Sequence, residues 1–132
     1  RQFIKRQVQK TYIAEVQGTV AEDSGIISLP LAPDYYDLPR QMVCHETGKP
    51  SETHWNVLSR KDSVTRLALK PITGRTHQLR VHCAHPEGIG FPMLGDELYG
   101  VIGKRLHLHA QTLEFMHPTT KEMVRVHADP DF

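Results

Sequence analysis

The chain has 132 residues, 39% hydrophobic and 23% charged, with a net charge of +1 when histidine is neutral. This is the ordinary composition of a globular protein, and the length predicts one domain with room for a core. A near-zero balance excludes a uniformly basic or acidic chain, no apolar run approaches the ~18 residues of a membrane span, and Cys44 and Cys83 stand far apart without a metal-type or redox-type spacing.

The cysteine usage suits a reduced, cytosolic setting. The charge is unevenly spread: Arg1, Lys5, Arg6 and Lys10 precede the first acid, Glu15, while acids gather at Glu22, Asp23, Asp129 and Asp131. A neutral total of this kind can hold a basic face. Arg1 stands within a helix-like pattern without an initiator methionine, so the chain is expected to be a piece of a longer protein.

Phe3, Ile4 and Val8 among Arg, Lys and Gln predict the tail of an amphipathic helix over residues 1 to 9. Thr11 to Val16 alternates as a strand, with Tyr12, Ala14 and Val16 on one face, and Gly18 ends it. Glu22 to Gly25 reads as a turn, Ile26 to Leu31 as a second strand closed by Pro30 and Pro33, and Asp34 to Arg40 as a loop. Gln41 to Glu46 predicts a short strand before a turn at Gly48-Lys49-Pro50. Ser51 to Ser59 predicts another strand with Thr53, Trp55 and Val57 on one face. After a turn at Lys61-Asp62-Ser63, Val64 to Ile72 is a strand with Leu67 and Leu69 on one side. Short strands and turns in this rhythm predict antiparallel meanders.

Gly74 permits a tight turn, and Thr73 or Thr76 is a candidate cap for a helix beginning at Thr76 to Leu79. Leu79, Val81 and Cys83 alternate as in a strand, yet Leu79 and Cys83 are also four apart as on a helix; the helix, ended by Pro86, is preferred. Glu87 to Pro92 is a loop, Glu97 to Gly100 a turn or short helix, and Arg105 to Phe115 a strand with Leu106, Leu108 and Ala110 opposite His107, His109 and Gln111. His117 to Thr120 is a turn and Met123 to Ala128 the last strand.

From Lys70 to Pro86 there are basic residues and histidines and no acid. Arg75, just after Gly74, brings a fixed charge and five donors to a strand end, which suits a carboxylate or phosphate at a cleft mouth. The plainer reading is a solvated basic turn. Tyr12 is either a core tyrosine or a ring against which a base lies. The histidines raise a metal hydrolase as an alternative, with His107 and His109 on one strand face and His82 and His85 three apart, but no zinc-type spacing of ligands occurs. Cys83 beside His82 is a weak nucleophile candidate, since adjacent helical residues diverge.

Several short patterns then stand in order: Lys10-x-Tyr12-x-Ala14; Gly48-Lys49-Pro50-x-x-Thr53; Gly74-Arg75-Thr76-His77-Gln78-Leu79-Arg80-Val81-His82; Leu94-Gly95-Asp96-x-x-Tyr99-Gly100; and Leu106-x-Leu108-His109-Ala110. Together they resemble the RluA family of pseudouridine synthases over nearly the whole chain. Leu29-Pro30-Leu31 and Gln41-x-Val43-Cys44-x-Glu46-Thr47-Gly48-Lys49-Pro50 are most similar to the branch acting on large-subunit ribosomal RNA and tRNA.

The resemblance implies an α+β fold, a mixed, mostly antiparallel sheet with flanking helices, of which residues 1–132 are the C-terminal portion of the catalytic domain. It implies isomerisation of uridine to pseudouridine in RNA, with no cofactor, metal or membrane involved. It implies Arg75 pairing with a catalytic aspartate, Tyr12 against the flipped base, Leu79 walling the pocket, and Thr76, His77 and Arg80 contacting substrate. The family's Arg-Leu-Asp-x-x-Thr-Ser-Gly pattern, which carries that aspartate, does not occur in the chain. The expectation is truncation just after it, leaving a piece inactive alone and prone to self-association through an open strand edge. A non-catalytic RNA-binding module is the alternative.

Overall fold

The computed structural model describes residues 9–116, 119–120 and 122–132. In chain order they form β1 (Gln9–Gln17), β2 (Ser24–Ser28), β3 (Leu31–Pro33), β4 (Gln41–Val43), β5 (Glu52–Lys61), β6 (Val64–Pro71), α1 (Gln78–Ala84), β7 (Leu108–Met116) and β8 (Met123–His127). The main sheet runs β2-β5-β6-β1-β7-β8, and β3 pairs with β4 in a separate ribbon. Every strand pairing among the described residues is antiparallel, with one parallel bridge between Gly95 and Ile102. The class is α+β, its helical share among the described residues being the seven-residue α1. The expected helix at Phe3, Ile4 and Val8 lies outside the described residues, as do His117 and Pro118 of the expected turn.

β1 lies between β6 and β7, so its alternating pattern has a buried face to obey. Ala14 and Val16 sit with Leu67, Leu69, Leu79, Cys83 and Met93 in the core, and Tyr12, Trp55, Val57, Phe91 and Leu108 pack against them. The β5–β6 hairpin turns at Asp62 and Ser63, with φ of 52° and 63°. Two successive left-handed residues match the twist of the flanking strands, which is why so short a link suffices. Leu67 is fully buried at the centre of this core. Leu67→Ala is expected to cost about 2–5 kcal/mol, read as a lower denaturation midpoint at unchanged m-value.

Several boundaries differ from the sequence expectation, and the strand expected from Gln41 to Glu46 ends already at Val43. The strand expected from Ile26 to Leu31 is two strands, β2 and β3, broken at Leu29 and Pro30. Pro30 has no N–H to give a ladder; its carbonyl accepts the Cys44 N–H at 2.9 Å, turning the chain into the β3–β4 ribbon. Pro33 ends β3 inside the ribbon, opposite Gln41. The turn expected at Gly48-Lys49-Pro50 falls earlier, at His45 to Thr47, and Lys49 instead bridges to Leu31. The last long strand begins at Leu108 and not Arg105, because the His107 N–H donates to the Leu94 carbonyl at 2.9 Å.

The opposite face of β1 carries polar pairs. Glu15 accepts from His107 at 3.0 Å and from Arg66 at 3.4 Å, and the Phe132 ring stacks on His107 with centroids 4.8 Å apart. His109 donates to the Ala128 carbonyl at 2.9 Å. The two histidines that suggested a metal on this face are thus held by protein groups, and no set of three His, Cys, Asp or Glu side chains converges among the described residues. No helix among them is long and apolar enough to cross a membrane.

Candidate active site

Where β1 and β6 meet α1, the sheet, the connection from Pro71 to His77 and the start of the helix enclose a cavity of about 760 Å³. Tyr12, Leu79 and Leu108 give it an apolar wall; Lys10, Arg75, His77 and Arg80 give it a basic side; no acid lines it among the described residues. Of the residues expected at the site, Tyr12, Arg75, Leu79, His77 and Arg80 are brought together here. Thr76 is exposed and does not line the cavity.

Tyr12 reaches the cavity from a strand with an irregular register. Thr11 pairs with Thr112 and Tyr12 with Ala110, so Gln111 is an extra residue opposite them. Such a bulge re-aims the side chains beside it. Tyr12 is half-buried against the core, and its hydroxyl has no hydrogen-bond partner among the described residues. It is both the core residue and the cavity residue of the two readings above.

The connection after β6 does not use Gly74 as expected: the residue with left-handed φ is His77, at 55°. Neither Thr73 nor Thr76 caps α1; His77 occupies the N-cap position without a side-chain cap bond, and the helix starts at Gln78, later than Thr76. Thr73 is engaged elsewhere, its hydroxyl accepting the Glu52 N–H at 3.0 Å and donating to Gln78 Oε1 at 2.6 Å. Arg75 is exposed at the cavity mouth, its Nε donating to the Pro50 carbonyl at 3.1 Å. It has no acidic partner among the described residues, and neither does Lys10.

Arg80 differs from Arg75 in this respect. It grips Asp96 with two bonds, Nε to Oδ2 at 3.0 Å and Nη2 to Oδ1 at 2.6 Å. The Asp96 side chain is fully buried, and Oδ1 also accepts the Leu98 and Tyr99 N–H groups at 3.1 Å each. Burial pushes the Asp96 carboxyl up, but Arg80 and these two N–H groups outweigh it and hold it below the usual range. Gly95 makes this turn possible, with φ of 75°, and a Cβ there would run into the Arg105 carbonyl. The Arg80 guanidinium lies 5.3 Å from the centre of the Tyr99 ring, whose hydroxyl accepts the Gln41 N–H and bonds His77 Nδ1, both at 2.8 Å. Asp96 and Tyr99 therefore fix Arg80 and His77, a role their places in the Leu-Gly-Asp-x-x-Tyr-Gly pattern did not reveal.

Burial, with Arg80 nearby, lowers the pKa of His77, and burial lowers that of His82. His82 is fully enclosed between the Thr53 hydroxyl and the Leu29 carbonyl. Both folded-state values lie below 6.5, so the unfolded chain takes up protons first as pH falls. Their stabilising effect is complete above about pH 6.5 and is lost as pH drops through the folded values. Urea midpoints measured from about pH 8 down to about pH 5 should decline over the lower half of that range; a flat profile contradicts the burial account. Burial pushes the Cys83 thiol up to about 12, which removes it as a nucleophile.

Comparison with known proteins agrees with the sequence patterns. The family described as RNA pseudouridylate synthase matches residues 1–85. Proteins called dual-specificity RNA pseudouridine synthase RluA are 49% identical in Yersinia pestis, over 89% of this chain and 59% of the relative. In Pasteurella multocida the figure is 44%, over 100% of this chain and 62% of the relative. In Escherichia coli strain K12 it is 41%, with the same two coverages of 100% and 62%. Among solved structures, human RNA pseudouridylate synthase domain containing 1 superposes with a TM-score of 0.83 at 34% identity, over 98% of this chain and 58% of that one. Human RNA pseudouridylate synthase domain containing 4 shares the fold, with a TM-score of 0.74 at 24% identity, over 97% of this chain and 60% of that one. The chain thus spans about three fifths of the length of the curated relatives it matches. On the sequence patterns, the sheet and these matches, the chain belongs to the RNA pseudouridylate synthase family, within its RluA group.

Proposed function

We propose that the chain is the C-terminal portion of the catalytic domain of an RNA pseudouridine synthase. The observation that carries this reading is the cavity in which a tyrosine hydroxyl and an arginine, neither with a hydrogen-bonding or acidic side-chain partner among the described residues, face one space with a leucine wall. A uridine leaves its stack, at a cost of roughly a few kcal/mol, and enters that space. Tyr12 lies against the base and Leu79 walls the pocket. Arg75 pairs with the catalytic aspartate supplied by the Arg-Leu-Asp segment of the full gene product and keeps it ionised. The C1′–N1 bond breaks, the uracil turns, C1′–C5 forms, and the C5 proton is released as N1 gains one. His77 and Arg80 line the pocket on its basic side, with Thr76 beside them on the connection. Lys10, on the same side of the cavity, attracts the phosphate backbone.

The likeness to relatives named dual-specificity RNA pseudouridine synthases supports more than one RNA as substrate; ribosomal RNA and tRNA are the pair that the Leu29 to Pro50 patterns suggest, and the two free cysteines suit the cytoplasm. The sheet edges support self-association of the isolated 132 residues, since β2 exposes Ile26 and β8 exposes Met123 and Val126. Nucleoside analysis after incubation of uridine-containing RNA with the full gene product tests the function. The expected result is an isomer of uridine of unchanged mass; RNA that is bound but unaltered would make the protein a binding module.

A further inference from the structure

Gln78 opens α1 and is 3% exposed. A carboxamide has two donors and two acceptor lone pairs, and here all are used. Oε1 accepts the Thr73 hydroxyl at 2.6 Å and the Arg75 N–H at 3.1 Å. Nε2 donates to the Glu52 carbonyl at 2.9 Å and to the Thr53 hydroxyl at 3.0 Å. The Arg75 N–H can only donate and the Glu52 carbonyl can only accept, so the amide has one workable orientation. The chain of bonds continues inward. The Leu29 carbonyl takes its bond from His82 Nε2–H at 3.0 Å, which leaves Nδ1 as the acceptor of the Thr53 hydroxyl at 2.8 Å. Every proton in the series has a single direction, from the Arg75 backbone to the Leu29 carbonyl.

The same glutamine lies beside the other anchor of Arg75, sharing the Glu52 carbonyl with the Ile72 N–H, which donates to it at 2.9 Å. The guanidinium Nε is held by the Pro50 carbonyl at 3.1 Å, two residues before the Glu52 carbonyl that Gln78 binds. Backbone and side chain of Arg75 are thus tied to two segments that the Ile72 and Thr73 bonds to Glu52 hold together, and of these ties only those through Gln78 reach the Arg75 N–H.

We infer that Gln78 is a positioning residue: through this hydrogen-bond series it sets where the Arg75 guanidinium stands at the cavity mouth. Its consequence for rate rests on the pseudouridine synthase reading; its consequence for geometry does not. A merely structural glutamine at a helix start would affect folding without acting through Arg75.

The test uses the full gene product. Gln78→Met keeps the length and removes all four bonds, whereas Gln78→Glu keeps those from Arg75 and Thr73. Amide hydrogen exchange at Arg75 should be slow in the wild type and in Gln78→Glu and fast in Gln78→Met. The single-turnover rate should fall about 10²-fold in Gln78→Met, the scale of loss for a small misplacement, with RNA affinity held. In an Arg75→Ala background, Gln78→Met should cost nothing further. Unchanged exchange at Arg75, or a full additional rate loss in that background, overturns the inference. Should Gln78→Met not fold, Thr53→Val carries the same test at the next link, and Thr53→Ser should restore wild-type behaviour; unaltered exchange and rate in Thr53→Val likewise overturn it. A wild type that forms no pseudouridine defeats the functional reading, and the exchange measurement then decides the inference alone.

Discussion

Arg75→Ala in the full gene product is expected to lower the single-turnover rate of pseudouridine formation by about 10²–10³-fold, the usual loss for one preorganised donor at a reacting centre. Affinity for RNA should change little. The asymmetry follows from the structure. Arg80 already spends its charge on Asp96, and Lys10 stays available for phosphate. Arg75 alone combines a cation, a place at the cavity mouth and a fixed backbone, with only Nε taken by the Pro50 carbonyl. Among the described residues its remaining guanidinium donors have no partner, which leaves them for a carboxylate. Arg75→Lys should recover only part of the rate, because a point charge does not reproduce a planar fork. A rate within a few-fold of wild type for Arg75→Ala would remove the pairing role.

Tyr12→Phe should also be severe, lowering the rate by about 10²–10⁴-fold, the range for loss of general acid–base catalysis. The basis is the hydroxyl without a hydrogen-bond partner among the described residues, on a ring that lines the cavity from the same face of β1 as Ala14 and Val16. The hydroxyl is not buried, so it is open within the cavity to a partner that a substrate supplies. Phe keeps the ring for stacking and the packing against the core. An unchanged rate in Tyr12→Phe, with a large loss in Tyr12→Ala, would leave the ring as the working part.

Where one face of an element is buried and the other is not, its residues announced it. Tyr12, Ala14 and Val16 in β1, Thr53, Trp55 and Val57 in β5, and Leu67 and Leu69 in β6 alternate as the sheet requires. The segment after Gln78 was ambiguous for a physical reason. Gln78, Leu79, Val81, His82 and Cys83 are all buried, so α1 is enclosed on nearly every side and has no polar face to give it a helical period. The split of Ile26 to Leu31 is masked because its residues are apolar apart from Ser28, and only Pro30 marks the crossing between two sheets. The site followed the same rule. Tyr12, Arg75 and Leu79 were marked by patterns along the chain, but the left-handed His77 is held by Tyr99, and Gln78 by Thr53 and Glu52, partners more than twenty residues away. Such contacts are properties of the fold and leave no local signal.

The measurement that bears most directly on the account is tritium release from RNA carrying 5-tritiated uridine. Joining C5 to C1′ expels the C5 hydrogen, whereas binding, unstacking or hydrolysis of the RNA chain leaves it in place. The full gene product is expected to release tritium in proportion to pseudouridine formed, with Arg75→Ala slower by the factor above and the 132 residues alone, which lack the Arg-Leu-Asp pattern, releasing none. A full gene product that binds the RNA and releases no tritium would contradict the assignment of this cavity to uridine isomerisation.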